Sequence, residues 1–166
     1  MRHMDNDLVR MLTFRINERQ ILSAIRPESV EVFQAIQAIS LYPRGATLFV
    51  EGGHAEGIFV LREGGVQLSI PNVGDGVLSS RRARAGEVLG LSAAVSGKRY
   101  QMTAETTTPS RLSFIRREDL LRFLHEHADA AFRVVELLSD KARMTSEVIR
   151  SSVPFRRRRP QVLLRG

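Results

Sequence analysis

Between Tyr42 and Ile115 the apolar residues of this chain arrive in short runs, each broken by glycine or a polar turn. The runs are Thr47-Leu48-Phe49-Val50, Gly57-Ile58-Phe59-Val60-Leu61 and Gly65-Val66-Gln67-Leu68-Ser69-Ile70, with further ones over Val77 to Arg82, Met102 to Thr107 and Arg111 to Ile115. Their β-branched and aromatic content predicts strands, and pieces such as Pro71-Asn72-Val73-Gly74-Asp75-Gly76 predict turns between them. Many short strands at regular spacing fold as a sandwich or a rolled barrel.

Both flanks read as helix. Over residues 15 to 40, Asn17 offers a cap to Glu18-Arg19-Gln20-Ile21-Leu22, Pro27 suits a first helical turn, and Val30, Phe33, Ile36 and Ile39 recur three apart. Residues 117 to 150 predict a short helix, Glu118 to His125, and then a long one. In the long helix Ala131, Val135, Leu138, Ala142, Thr145 and Ile149 alternate four and three apart, a coiled-coil seam about 27 Å long. The same stripe could instead pack against the chain's own strands.

One stretch carries a candidate site. Gly86-Glu87-Val88-Leu89-Gly90-Leu91-Ser92 opens with a Gly-Glu turn, passes a second glycine where backbone can approach a ligand, and runs into small apolar residues through Tyr100. The order of landmarks is Gly45, Phe49-Val50-Glu51-Gly52, Gly57 to Leu61, Gly64-Gly65-Val66 and Gly86 to Gly90. From about Tyr42 to Ile149 it resembles the cyclic nucleotide-binding domains of the Crp/Fnr transcription regulators. The resemblance implies an α+β fold, a double-stranded β-helix or jelly-roll-like β-roll with N-terminal helices and a long C-terminal dimerisation helix. The expected organisation is an N-terminal tail over 1–14, the β-roll domain with its flanking helices over 15–125, the dimerisation helix over 126–150 and a basic tail over 151–166. A homodimer is implied, with Ala131, Val135, Leu138, Ala142, Thr145 and Ile149 at its interface.

Family members that bind a cyclic nucleotide use a glutamate after the second glycine and an Arg-Ser or Arg-Thr pair at the end of the cassette. Here Leu91 stands at the glutamate position, and Tyr100 and Gln101 stand at the pair, with Arg99 one residue away. The charged contacts of an ordinary cyclic-AMP site are therefore absent from their places, and the pocket reads as neutral. Thr145-Ser146 falls where cyclic-AMP-responsive members carry a Thr-Ser pair against the base. The candidate ligand residues are Gly86, Glu87, Gly90, Leu91, Ser92, Arg99, Tyr100, Gln101, Thr145 and Ser146, and the implied ligand is a cyclic nucleotide or another anion.

Composition removes several other classes. The chain has no cysteine, which excludes disulfides, thiolate catalysis and cysteine-ligated metal centres. Its four histidines form no metal-binding spacing, no nucleophile elbow or phosphate loop is present, and no cofactor, metal or enzymatic activity is expected. No apolar run suits a membrane span or secretory signal, so a cytoplasmic protein is expected. Six of the seven net positive charges lie after Glu147, at Arg150, Arg156, Arg157, Arg158, Arg159 and Arg165, leaving residues 1 to 147 near neutrality. After Ile149 no periodicity remains, so a recognition helix for the major groove is not expected. Contact with DNA is expected only indirectly, or non-specifically through the arginine run. The alternative role is an interaction subunit that docks on an intact regulator through the long helix.

Overall fold

A computed structural model describes residues 14–71 and 77–152, with side chains from 14 to 70 and 79 to 143. The tails expected over 1–13 and 153–166 lie outside the described residues. Eight strands are described: β1 (Ala38–Tyr42), β2 (Thr47–Phe49), β3 (Gly57–Glu63), β4 (Val66–Pro71), β5 (Val77–Arg82), β6 (Val88–Leu89), β7 (Thr103–Thr106) and β8 (Ser110–Arg116). They form two antiparallel four-stranded sheets in the orders β1-β8-β3-β6 and β2-β7-β4-β5. The expected β-roll is present.

Strand β3 shows why these short runs fold as they do. It is buried on both faces, and so reads as an unbroken apolar run, not an alternating one. Phe59 and Leu61 point between the sheets, into a core with Phe49, Val66, Leu68, Leu89 and Leu112. Ile58 and Val60 point the other way, where Val88 and Ile115 join them under the helices. A strand with no solvent face carries its register on both sides at once.

The helices are α1 (Glu18–Leu22), α2 (Pro27–Ala35), α3 (Leu91–Ser96), α4 (Arg117–Glu126) and α5 (Ala128–Ser152). Asn17 caps α1 as its sequence suggests: its side chain accepts from the Arg19 N–H at 2.9 Å, and Gln20 accepts from the Asn17 N–H at 2.8 Å. Helix α1 is also pinned to the sheet, because Arg62 pairs with Glu18 and Gln37 while its Nε donates to Ser113 Oγ at 2.9 Å. The helical reading of residues 15 to 40 runs too far. Helix α2 ends at Ala35, and Ile39 lies on β1, paired with Ser113 of β8. A three-residue spacing fits a helix locally, but the open edge of β8 offers a full ladder to a β-branched segment.

Helix α5 turns a different stripe from the expected seam toward its own roll. The side chains it buries against its own roll are Ala130, Val134 and Leu137, one residue ahead of that stripe. Of the interface candidates, Val135 is 57% exposed and Ala142 exposed, Ala131 and Leu138 are half-buried, and the side chains of Thr145 and Ile149 lie outside the described residues. Phe132, absent from the expected seam, is 69% exposed beside it.

The first turn of α5 is fastened to α2. The Arg26 N–H donates to Asp129 Oδ2 at 2.8 Å, and the Ser29 hydroxyl donates to the same carboxylate at 3.0 Å and lies 2.9 Å from His127 Nδ1. The Arg26 N–H foremost, then the Ser29 hydroxyl, holds Asp129 below the usual carboxylate range against the desolvation that opposes them. A lowered folded-state pKa stabilises the fold above the unfolded value of about 3.9 and is lost as pH falls through the folded value.

Two outcomes follow for urea unfolding. Asp129→Asn flattens the acid-side loss of stability between about pH 5 and pH 2; an unaltered slope would show that this carboxylate is not coupled to folding. Leu61→Ala costs about 2–5 kcal/mol. Leu41→Ala, at a side chain 81% exposed, changes stability by no more than about 0.5 kcal/mol, and equal effects would overturn the assignment of the core.

Candidate functional site

The stretch from Gly86 to Tyr100 divides into a fastened half and a half that lines a hollow. In the first half Gly86 donates to Leu61 O at 2.6 Å and accepts from Glu18 N at 2.8 Å, while Val88 N donates to Ile16 O at 2.8 Å. The Glu87 side chain is 3% exposed. Its carboxylate takes Arg81 Nη2 at 2.5 Å, Arg81 Nη1 at 3.1 Å and the Arg84 N–H at 2.9 Å. Neither Gly86 nor Glu87 is among the residues that line the hollow. A carboxylate already holding a bidentate guanidinium and a backbone donor has its acceptors committed to the turn.

The second half does line it. Gly90 takes a φ of 84° and a Cβ there would stand 2.9 Å from the Tyr100 ring, so glycine is required on both counts. Leu91, Ser92, Arg99, Tyr100 and Gln101 border the same hollow. Leu91, at the position of the family's glutamate, is 3% exposed and joins the core beneath the helices.

Tyr100 is a packing residue. Its ring stacks on Phe49 at a centroid distance of 4.2 Å and 15°. Its hydroxyl donates to Gly57 O at 2.7 Å and accepts from the Gly57 N–H at 3.3 Å. Its backbone is held as well, donating to Gly53 O and accepting from Gly52 N. Burial pushes the phenol pKa up, against the Gly57 N–H that favours the ionised form. The approach at Gly57 is tight: a Cβ there would lie 2.2 Å from Ile115 O. Arg99 reaches the rim, and its Nη1 donates to Gly52 O at 2.8 Å. The side chains of Thr145 and Ser146 lie outside the described residues.

The expectation of a neutral pocket is overturned. Arg81 from β5, Lys98, Arg99 and Lys141 from α5 all line the hollow, and no carboxylate does among the described residues. Burial foremost, and then the charge of Arg81, holds the Lys141 ammonium below the usual lysine pKa. Arg15 is pressed the same way by burial and then by Arg81, with Glu87 opposing. Sequence reading passed over Arg81 and Lys141 because they stand outside the cassette. The signals are positional: Arg81 pairs across the ladder with buried Leu68, and Lys141 extends the inward stripe Ala130, Val134, Leu137 by one helical turn. Aromatic and apolar walls complete the hollow, with Phe14, Phe49, Leu68 and Met102 among them.

Two further structural facts bear on function. Among the described residues no group of three or more His, Asp or Glu side chains is arranged to hold a metal ion. Among them, too, no helix is long and apolar enough to cross a membrane.

A search of curated proteins finds no match to this chain. The family model for the cyclic nucleotide-binding domain matches residues 40–127. Among solved structures, the chain is similar to the Thermus thermophilus Catabolite Activator Protein, at a TM-score of 0.72 and 20% identity over 80% of this chain and 62% of that one. It is similar to the N-terminal domain of a transcriptional regulator from Streptomyces coelicolor A3(2), at a TM-score of 0.66 and 20% identity over 84% of this chain and 96% of that one. The sensor domain of the transcriptional regulator DNR from Pseudomonas aeruginosa is similar at a TM-score of 0.59 and 19% identity, over 74% and 86%. This chain thus spans less than two thirds of the Thermus protein and nearly all of the Streptomyces domain. With the family model covering more than half of the chain, and with the two-sheet roll and the glycine-edged hollow in place, the chain belongs to the cyclic nucleotide-binding domain family.

Proposed function

We propose that this chain is a non-enzymatic regulatory sensor module of the Crp/Fnr type, which takes a small anionic effector in the hollow and dimerises through α5. The observation that carries the reading is that one helix serves both places. Helix α5 lines the hollow with Lys141 and, on an adjoining face, leaves Phe132 and Val135 uncovered. Two bulky apolar side chains exposed beside half-buried Ala131 and Leu138 make a face that a second copy would bury. An effector that shifts α5 against the roll then alters how two copies meet.

Cyclic AMP does not suit the hollow in the family's ordinary way. Leu91 offers no acceptor to a ribose hydroxyl, and Tyr100 fills the arginine position while bonded to Gly57. Loss of a desolvated arginine–phosphate contact costs about 2–5 kcal/mol. Influence on DNA would pass through another domain or partner, or act non-specifically through the arginines after Glu147.

Sedimentation equilibrium of the full chain tests the dimer. The wild type sediments as a dimer and Val135→Glu as a monomer with unchanged circular dichroism, whereas a monomeric wild type would remove this reading of α5. Calorimetry tests the ligand half: cyclic AMP binds with a Kd weaker than about 1 mM, and micromolar binding would reinstate an ordinary cyclic-AMP sensor.

A further inference from the structure

Each of the two sheets ends in two edge strands, and an edge offers a row of unpaired backbone donors and acceptors to any other strand. Among the described residues, three of the four edges are blunted. Strand β2 has three residues and breaks register between Thr47 and Phe49. Strand β6 has two residues. Strand β5 carries the exposed Arg82, and its pairing with β4 breaks register between Ile70 and Pro71. Short length, charge and broken register are the devices that keep sheet edges from joining one another.

Strand β1 has none of them. Its five residues, Ala38-Ile39-Ser40-Leu41-Tyr42, pair with β8 in unbroken register and include no charge, glycine or proline. Ile39 lies beside Ser113 and Val60 on the face of the sheet that bears the helices, yet it is 61% exposed, and Leu41 on the same face is 81% exposed. Ala38 and Ser40, on the other face, are exposed as well. The edge is thus open in its backbone and bare in its side chains, the combination that receives an added strand.

The sequence of β1 selects which strand. About a two-fold axis through Ser40, an antiparallel copy of β1 sets Ile39 opposite Leu41 twice, and cross-strand partners share a face. Four apolar side chains then cover one another. Beyond the strand, the same register sets Arg44 opposite Ile36, so no like charges meet there. Arg111, the cation paired with Leu41 across the ladder, already holds Glu63 at 2.8 Å.

We propose that β1 is an interaction surface for β1 of a second copy, paired antiparallel about Ser40, so that two four-stranded sheets join into one of eight strands. A strand of five residues spans about 17 Å. Such a strip buries well under the roughly 1,200 Å² at which stable interfaces begin, so the contact is weak, with a Kd on the order of 0.1–1 mM. It is separate from the hollow and from the bare face of α5, and in a chain paired through α5 it links one dimer to the next.

Sedimentation velocity of the full chain carrying Val135→Glu, from about 10 µM to about 1 mM, reads this contact apart from that of α5. The protein sediments as a monomer at the low end and as a dimer at the high end. Adding Leu41→Lys, or adding Ile39→Glu, weakens the association at least about tenfold, with melting curves alike because both side chains are exposed. An equimolar mixture of the Leu41→Lys and Ile39→Glu chains recovers it to within a few-fold, since the register sets the introduced ammonium opposite the introduced carboxylate. Association unmoved by Leu41→Lys, or a mixture no stronger than its components, overturns the proposal. Absence of any association at about 1 mM overturns it too, and leaves the edge to a strand of another protein.

Discussion

The buried pair of Arg81 and Glu87 is the contact on which the geometry of the hollow depends. With side chains 11% and 3% exposed, the two ions are nearly removed from water, and each is tolerable only because the other is present. Glu87 also accepts from the Arg84 N–H, so the pair closes the turn between β5 and β6 and sets where the stretch from Gly90 begins. Removing either partner would strand a charge, at a cost of about 3–5 kcal/mol. The same pair keeps a guanidinium at the wall of the hollow, which a solvated arginine on a mobile rotamer would not do.

A second constraint acts from the opposite side. Tyr100 is clamped by its ring against Phe49 and by its hydroxyl on Gly57, and Gly57 in turn lies so close to Ile115 that no side chain fits there. Tyr100 is thereby part of the core between the sheets. These contacts need no ligand, and they stabilise the domain irrespective of occupancy.

Much of the fold was legible because its signals are local. The short glycine-edged runs, the Asn17 cap and the two-sided apolar run of β3 each report a conformation that the residues themselves prefer. Strand β1 was not legible, since Ile39 continues a helical spacing and becomes extended only because β8 offers it a ladder. The site divided along the same line. Gly90, Leu91, Ser92, Arg99, Tyr100 and Gln101 border one hollow because one contiguous stretch carries them. The pairing of Glu87 was not legible because its partner, Arg81, faces it only after β5 has paired with β4. Lys141 belongs to a stripe one residue out of phase with the seam that the heptad count picked. Helix periodicity alone allowed both phases, and the position of the roll decided between them.

That phase difference has a mechanical meaning. Consecutive residues on a helix are turned by about 100°, so the inward stripe through Val134 and Leu137 and the bare stripe through Val135 and Leu138 lie about a quarter-turn apart. Both belong to one rigid rod, and the packing of Ala130, Val134 and Leu137 on the roll fixes its rotation. Any turn or slide of that rod carries Lys141 and the bare stripe together. Close-packed interfaces accommodate such shifts by stepping between discrete arrangements more readily than by gradual deformation. The wall that Lys141 gives the hollow and the uncovered face of α5 therefore belong to a single element.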